Sequence, residues 1–168
     1  VISKQDKTDQ IVIRSEQGRL IGEVSLLPIQ GWFLNDSGYR DKNYYNQSFM
    51  IKVSDLDIDR LRSAIKKLVD YHNSFRMRYK RGEKGYVQYY DVDVNIDPNG
   101  GLEELKYLDI SRDLNNKEGE EGFEAELGEI LTSWQSGFDI ERGPVYSFGY
   151  ITGYKDGSSR IYAALHHL

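Results

Sequence analysis

Two adjacent histidines, His166 and His167, are the residues of this chain best suited to proton transfer. A free imidazole has a pKa of about 6.5, so it exchanges protons near neutral pH. A strand predicted over residues 160–165 runs directly into the pair, and neighbouring side chains of a strand point to opposite sides. We therefore expect one imidazole to face the core and the other to face a cleft. The alternation alone does not say which.

The other reactive residue types exclude several kinds of site. The third histidine, His72, follows a predicted helix and is interpreted as a C-terminal residue favoured by the helix dipole. Because no carboxylate–histidine spacing accompanies it, we predict no metal site. Cysteine is absent, which excludes disulfides and a cysteine nucleophile in these residues. Gly-rich phosphate loops and a G-x-S-x-G nucleophile motif are also absent.

The overall charge argues against nucleic-acid or membrane partners. The 168 residues carry a formal net charge of −5, whereas such surfaces require clustered positive charge. Basic residues cluster once, over residues 76–81, which we interpret as the solvated face of a strand. Arg76 alone is a candidate for a buried structural pair with a carboxylate. No apolar run approaches the roughly 20 residues of a membrane span, and we expect a cytoplasmic protein.

Hydrophobic periodicity predicts an α+β fold. Residues 1–10 are polar and are predicted to be a linker. Strands are predicted at 11–13, 20–24, 46–53, 76–80, 86–90, 105–110, 145–152 and 160–165, with a loop at 91–101. Helices are predicted after Pro28, capped by Ser25, then from Ile58 to Val69, capped by Ser54 or Asp57, and over 122–135. Helices alternating with hairpins indicate helices packed on a mainly antiparallel sheet.

Five segments, taken in chain order, resemble motifs of the condensation-domain superfamily of nonribosomal peptide synthetases. LPIQGWF and NQS resemble the (T)PIQxWF and NQS motifs of the epimerization branch, with Leu27 in place of Thr. YHNSFRMRY resembles HHxxLRxRF/Y, FDIERGPV resembles FDLxxGPL, and HHL resembles the start of HHxxxDG. The segments span Leu27–Phe33, Asn46–Ser48, Tyr71–Tyr79, Phe138–Val145 and His166–Leu168.

The resemblance implies a chloramphenicol-acetyltransferase-like lobe, the first of two lobes with the active site between them. Residues 11–168 would form this N-terminal lobe and would stop inside HHxxxDG, so we expect a piece of a longer chain. By position, His167 corresponds to the catalytic histidine of the motif and His166 to its inward-facing structural partner. Arg76 is the partner that the resemblance suggests for the motif aspartate.

The implied reaction is L-to-D inversion at the α-carbon of an aminoacyl or peptidyl thioester, an isomerase step of antibiotic biosynthesis. No cofactor would be bound directly, because the substrate arrives on the phosphopantetheine arm of a peptidyl carrier domain. The expected partners are that carrier, the second lobe and neighbouring synthetase modules. The second acid–base group, a glutamate of the second lobe, is not among these residues. We therefore expect residues 1–168 alone to be inactive.

Three alternatives to epimerization remain open. The first is a peptide-bond-forming condensation domain, in which the histidine assists attack of an amine on a thioester. The second is a non-catalytic lobe that only docks carrier domains, and the third is a small-molecule acyltransferase of the same fold. Heterocyclization is disfavoured, because that branch replaces the histidine pair with an aspartate-based motif.

Overall fold

The computed structural model describes residues 18–91, 105–115 and 117–168. The predicted linker at 1–10, the strand at 11–13 and nearly all of the loop at 91–101 lie outside these ranges. The strands are β1 (Gly22–Val24), β2 (Asn46–Val53), β3 (Met77–Gly82), β4 (Gly85–Tyr90), β5 (Lys106–Asp109), β6 (Tyr146–Thr152) and β7 (Ser159–His166). The helices are α1 (Pro28–Gly31), a π-helix (Trp32–Asp36), α2 (Ile58–Tyr71), a 3₁₀-helix (Asn73–Arg76), α3 (Ile110–Asp113) and α4 (Phe123–Gln135).

The strands form two sheets, and the predicted α+β class with mainly antiparallel pairing is confirmed. The smaller sheet has the order β1-β4-β3 and is antiparallel. The larger has the order β2-β7-β6-β5, in which only β5 and β6 are parallel. β3 of the smaller sheet is joined to the segment before β6, where the Tyr79 N–H donates to the Ile140 carbonyl at 2.8 Å. Within the residue ranges that the structure describes, no helix combines the length and apolar character that crossing a membrane requires.

One helix packs on each face of the larger sheet. Leu61, Ile65 and Val69 of α2 and Phe123 and Leu127 of α4 are buried, as their helical spacing predicts. Leu68, which has the same spacing in α2, is 41% exposed. Neighbouring residues of a strand point to opposite faces of the sheet, so each strand contributes side chains to both helices. The α2 cluster includes Tyr146 and Tyr150, whereas the α4 cluster includes Ile151, Tyr162 and Ala164. The sheet that ends in the histidine pair is therefore packed on both sides.

The helix starts show which capping predictions hold. Asp57 caps α2 by accepting hydrogen bonds from the N–H groups of Asp59 and Arg60, as one of the two alternatives predicted. The prediction that Ser25 caps the first helix is wrong. Pro28 occupies the first helical position, which makes Leu27 the N-cap. Leucine has no side-chain acceptor, and the Leu27 N–H instead donates to Gln30 Oε1 at 2.9 Å.

Candidate active site

The histidine pair lies at the end of β7, fixed by backbone hydrogen bonds to two other segments. His166 is paired with Asn46 at the start of β2. The His166 N–H donates to the Val145 carbonyl at 2.9 Å, and the His167 N–H donates to the Tyr45 carbonyl at 2.8 Å. The backbone that carries the two imidazoles is therefore held by Val145 and by Tyr45.

The imidazole of His166 is engaged at both nitrogens. Its Nδ1 accepts from the Leu168 N–H at 3.2 Å, and its Nε2 lies 2.8 Å from the Lys42 carbonyl oxygen. A ring that accepts at Nδ1 and donates at Nε2 is a neutral imidazole of defined tautomer. Burial lowers the pKa of His166 below its ordinary value, against the opposing effect of the Lys42 carbonyl. The His166 imidazole therefore acts as a neutral cross-link between the loop at Lys42 and its own segment at Leu168.

The imidazole of His167 is in a different setting. The residue is exposed, and its ring meets the ring of Tyr45 nearly edge-on, with centroids 5.2 Å apart. Within the described ranges, its ring nitrogens form no hydrogen bond. An exposed imidazole with uncommitted nitrogens can take a proton from, or give one to, a bound molecule.

An aromatic cluster of Phe33, Tyr39 and Tyr45 supports both histidines. Phe33 is 2% exposed and stacks on Tyr45 at 4.8 Å. It also meets the His166 ring edge-on at 6.1 Å. Tyr39 lies 5.7 Å from Phe33 and 5.4 Å from Tyr45, measured between ring centroids. Phe33 belongs to the π-helix, a rare conformation that occurs frequently at functional sites.

The loop between the π-helix and β2 is tied back to Phe33 by Lys42. The Lys42 ammonium donates to the Phe33 carbonyl at 2.6 Å and to Ser37 Oγ at 3.0 Å. It also lies 5.0 Å from the centroid of the Phe33 ring. These contacts hold the Lys42 carbonyl where His166 Nε2 reaches it. Neither Lys42 nor Tyr45 is identified by the sequence analysis, although Tyr45 directly precedes the NQS segment.

The first two motif segments are built into this region. Gln30 of PIQGWF is buried and donates through Nε2 to the Tyr79 hydroxyl at 3.0 Å. Asn46 of NQS donates through Nδ2 to the Gln135 carbonyl at the end of α4, at 3.1 Å. The segments that resemble the epimerization branch therefore position the loop and the strand that contact the histidines.

Arg76 lies away from the histidine pair. Its guanidinium donates to the carbonyls of Leu20 (3.1 Å) and Asp91 (3.0 Å) and to Asn73 Oδ1. Burial lowers its pKa. None of these partners belongs to the histidine segment. Pairing of Arg76 with a motif aspartate beyond Leu168 stays a prediction.

The interpretation of residues 76–81 as a solvated strand face is wrong for Arg78, whereas burial of Arg76 was expected. Arg76 and Arg78 are 4% and 3% exposed, whereas Lys80 and Arg81 are exposed. The guanidinium of Arg78 donates to the carbonyls of Phe75 and Met77. These backbone acceptors, together with Asp91 at 3.6 Å from Arg78 Nε, compensate for the burial of its charge. Separately, no cluster of three potential metal ligands occurs in the described part of the chain.

Comparisons with known proteins agree with the motifs. The family model of the condensation domain matches residues 21–168. The chain is 39% identical to N-(5-amino-5-carboxypentanoyl)-L-cysteinyl-D-valine synthase of Penicillium rubens over 163 residues, covering 97% of this chain and 4% of the synthase. It is 33% identical to tyrocidine synthase 2 of Brevibacillus parabrevis, covering 92% of this chain and 4% of that protein.

Solved structures share the fold. The epimerization domain from the third module of tyrocidine synthetase B superposes with a TM-score of 0.70 at 29% identity, covering 92% of this chain and 32% of that one. The starter condensation domain of rhizomide synthetase superposes with a TM-score of 0.58 at 14% identity, covering 80% of this chain and 30% of that one. The chain thus spans about a third of each of these domains. From its motifs, its fold and these relatives, we conclude that this chain belongs to the condensation-domain superfamily of nonribosomal peptide synthetases.

Proposed function

We propose that residues 11–168 are the N-terminal lobe of an epimerization domain that inverts the α-carbon of an aminoacyl or peptidyl thioester from L to D. The observation that carries the proposal is the exposed, uncommitted imidazole of His167 next to the fully engaged imidazole of His166. The PIQGWF and NQS segments favour epimerization within the superfamily. The similarity to a solved epimerization domain and to a synthase whose product name contains D-valine supports the same choice.

The chemistry requires a base at the α-carbon. A thioester acidifies its α-proton, yet the carbanion forms only with a positioned base and stabilisation of the enolate oxygen. His167 as a neutral imidazole would accept the proton on one face of the α-carbon. Inversion also requires a proton donor on the opposite face, which we assign to the second lobe. His166 cannot share this role while both of its nitrogens are committed.

The substrate would arrive on the phosphopantetheine arm of a peptidyl carrier domain. We propose that carrier, the second lobe and the neighbouring modules as the partners of this chain. Because the opposite face of the α-carbon would be served by the second lobe, residues 1–168 alone are expected to be inactive. Measurable racemisation of a carrier-bound aminoacyl thioester by residues 1–168 would contradict the two-lobed site.

The decisive experiment measures α-deuterium uptake. The complete synthetase is loaded with an L-aminoacyl thioester in deuterated water, and the released amino acid is analysed by mass spectrometry and chiral chromatography. His167→Ala should abolish uptake, whereas His72→Ala, a change of an exposed histidine at the end of α2, should retain it. Uptake by His167→Ala at the wild-type rate would show that His167 is not the base.

Peptide-bond formation is the second candidate, because the same exposed imidazole could assist an amine that attacks a thioester. The deuterium experiment separates the two. A condensation domain would form a dipeptide when a second aminoacyl carrier is supplied, without deuterium at the α-carbon. An epimerization domain would incorporate deuterium without any second amino acid.

A further inference from the structure

We propose that Tyr45 is a positioning residue that fixes the orientation of the His167 imidazole; the inference rests on the proposed role of His167 as the base. Tyr45 reaches His167 in two ways. Its carbonyl accepts the His167 N–H at 2.8 Å, and its ring meets the imidazole at a centroid distance of 5.2 Å and an interplanar angle of 68°. One residue thus restrains both the backbone and the side chain of His167.

Restraint of the side chain matters because β7 ends at His166, before His167. Beyond the strand, the sheet no longer fixes the direction of a side chain. An exposed imidazole without hydrogen bonds to the described residues is free to rotate unless another group packs against it. The ring of Tyr45 supplies that contact in an edge-to-face geometry that aromatic pairs prefer.

Tyr45 is itself held in place. It stacks on Phe33 at 4.8 Å with an interplanar angle of 24°, and Phe33 is buried in the π-helix. Lys42 fixes the intervening loop through the Phe33 carbonyl. The orientation of His167 therefore depends on the PIQGWF segment, because Phe33 of that segment packs on Tyr45 and Tyr45 packs on His167. This connection gives that motif a specific effect on the candidate base.

The prediction for catalysis is a change in kcat rather than in KM. Tyr45 contacts His167 through its ring, so loss of the ring frees the imidazole to leave the productive geometry. Small misplacements of a catalytic group reduce rates by up to about a hundredfold. We expect Tyr45→Leu to lower kcat for α-deuterium exchange by about tenfold or more, with KM for the loaded carrier unchanged. Tyr45→Phe keeps the ring and should keep kcat within about twofold.

Tyr39→Leu is the matched control in the complete synthetase. Tyr39 contacts Phe33 and Tyr45 at similar distances but belongs to no pair with His167. If general packing of the aromatic cluster decides the rate, Tyr39→Leu will lose kcat as Tyr45→Leu does. If Tyr45 positions His167, only Tyr45→Leu will lose it. Equal kcat values for wild type, Tyr45→Leu and Tyr45→Phe would overturn the inference.

A second measurement separates failure of this inference from failure of the proposed function. The rate at which diethyl pyrocarbonate acylates His167, followed by peptide mass spectrometry, reports how accessible the imidazole nitrogens are. This measurement requires no catalytic turnover. The exposed His72 serves as the internal reference in the same sample. Tyr45→Leu should raise the rate for His167 relative to His72, and Tyr45→Phe should not. An unchanged ratio in Tyr45→Leu refutes the positioning role, even if the wild-type enzyme shows no exchange.

Discussion

The contrast between the two histidines leads to a prediction about stability. His166→Ala removes two ring hydrogen bonds, each worth about 1 kcal/mol, and leaves the Lys42 carbonyl and the Leu168 N–H without their partner. We expect the free energy of unfolding to fall by about 2–4 kcal/mol. His167→Ala changes an exposed side chain and should lower it by only about 0.5 kcal/mol. The measurement is equilibrium unfolding in urea at pH 8, followed by tryptophan fluorescence.

The variant His166→Asn separates the contributions of the two ring hydrogen bonds to stability. An asparagine Oδ1 can still accept from the Leu168 N–H, but the shorter side chain does not reach the Lys42 carbonyl. The loss should therefore be intermediate, about 1–2 kcal/mol. If His167→Ala costs as much as His166→Ala, or if all three variants match wild type, the division into a structural and an exposed histidine is incorrect.

The same residue gives a pH dependence with a defined sign. Because burial lowers the pKa of His166 in the folded state, the unfolded chain binds the proton more readily. The stability contribution of His166 is therefore complete above about pH 6.5, the ordinary pKa of histidine. It decreases as the pH falls through this value and is lost once the pH passes below the folded-state pKa. Below about pH 6.5, the free energy of unfolding of His166→Asn should depend less on pH than that of the wild type. The same slope in both proteins would contradict the assignment of His166 as the titrating group.

Two further predictions concern the packing on either face of the larger sheet. Gly149→Ala would place a Cβ against the Trp134 ring and should destabilise the fold by about 1–3 kcal/mol. This penalty should shrink when Trp134→Leu makes room, and a penalty independent of Trp134 would refute the packing argument. Gly128→Ala, in α4 with open space around the added Cβ, is the control and should stabilise by about 0.5–1 kcal/mol. Tyr150→Phe removes a hydroxyl that donates to Asp55 Oδ1 at 2.9 Å and accepts from the Leu56 N–H at 2.7 Å, and it should cost about 1–2 kcal/mol in urea unfolding. The cost should be smaller, but not zero, when Asp55→Asn is already present, and an unchanged stability of Tyr150→Phe would contradict the role of the hydroxyl.

The elements with a clear periodicity were predictable from the sequence. The bounds of β2, the start of α2 and the end of α4 match the predictions. The capping residue Asp57 marks the start of α2, and the apolar spacing of α4 continues to Trp134, one residue before its end. His166 and His167 do lie in different settings, as expected, although β7 ends at His166 and strand alternation does not itself extend to His167. These are local properties, and local patterns are what a single sequence displays.

Features that depend on distant residues were not predictable in the same way. Arg78 looks like a surface charge in a basic run, and only the folded chain brings the carbonyls of Phe75 and Met77 to its guanidinium. The contact between Tyr45 and His167 joins residues far apart in the sequence. The π-helix follows from one additional residue in a helical turn, which no apolar spacing reveals.

The position of β7 has a consequence for folding. β7 lies between β2 and β6, so β2 is not joined to the rest of the larger sheet until residues 159–166 are in place. The pairing of Asn46 with His166 closes a long stretch of chain, and such non-local contacts form slowly. Until then, β2 leaves Phe49, Met50 and Ile51 on an unpaired strand. We therefore expect the pairing of β2 with β7 to close the sheet and to bring His166 to its partners in the same step.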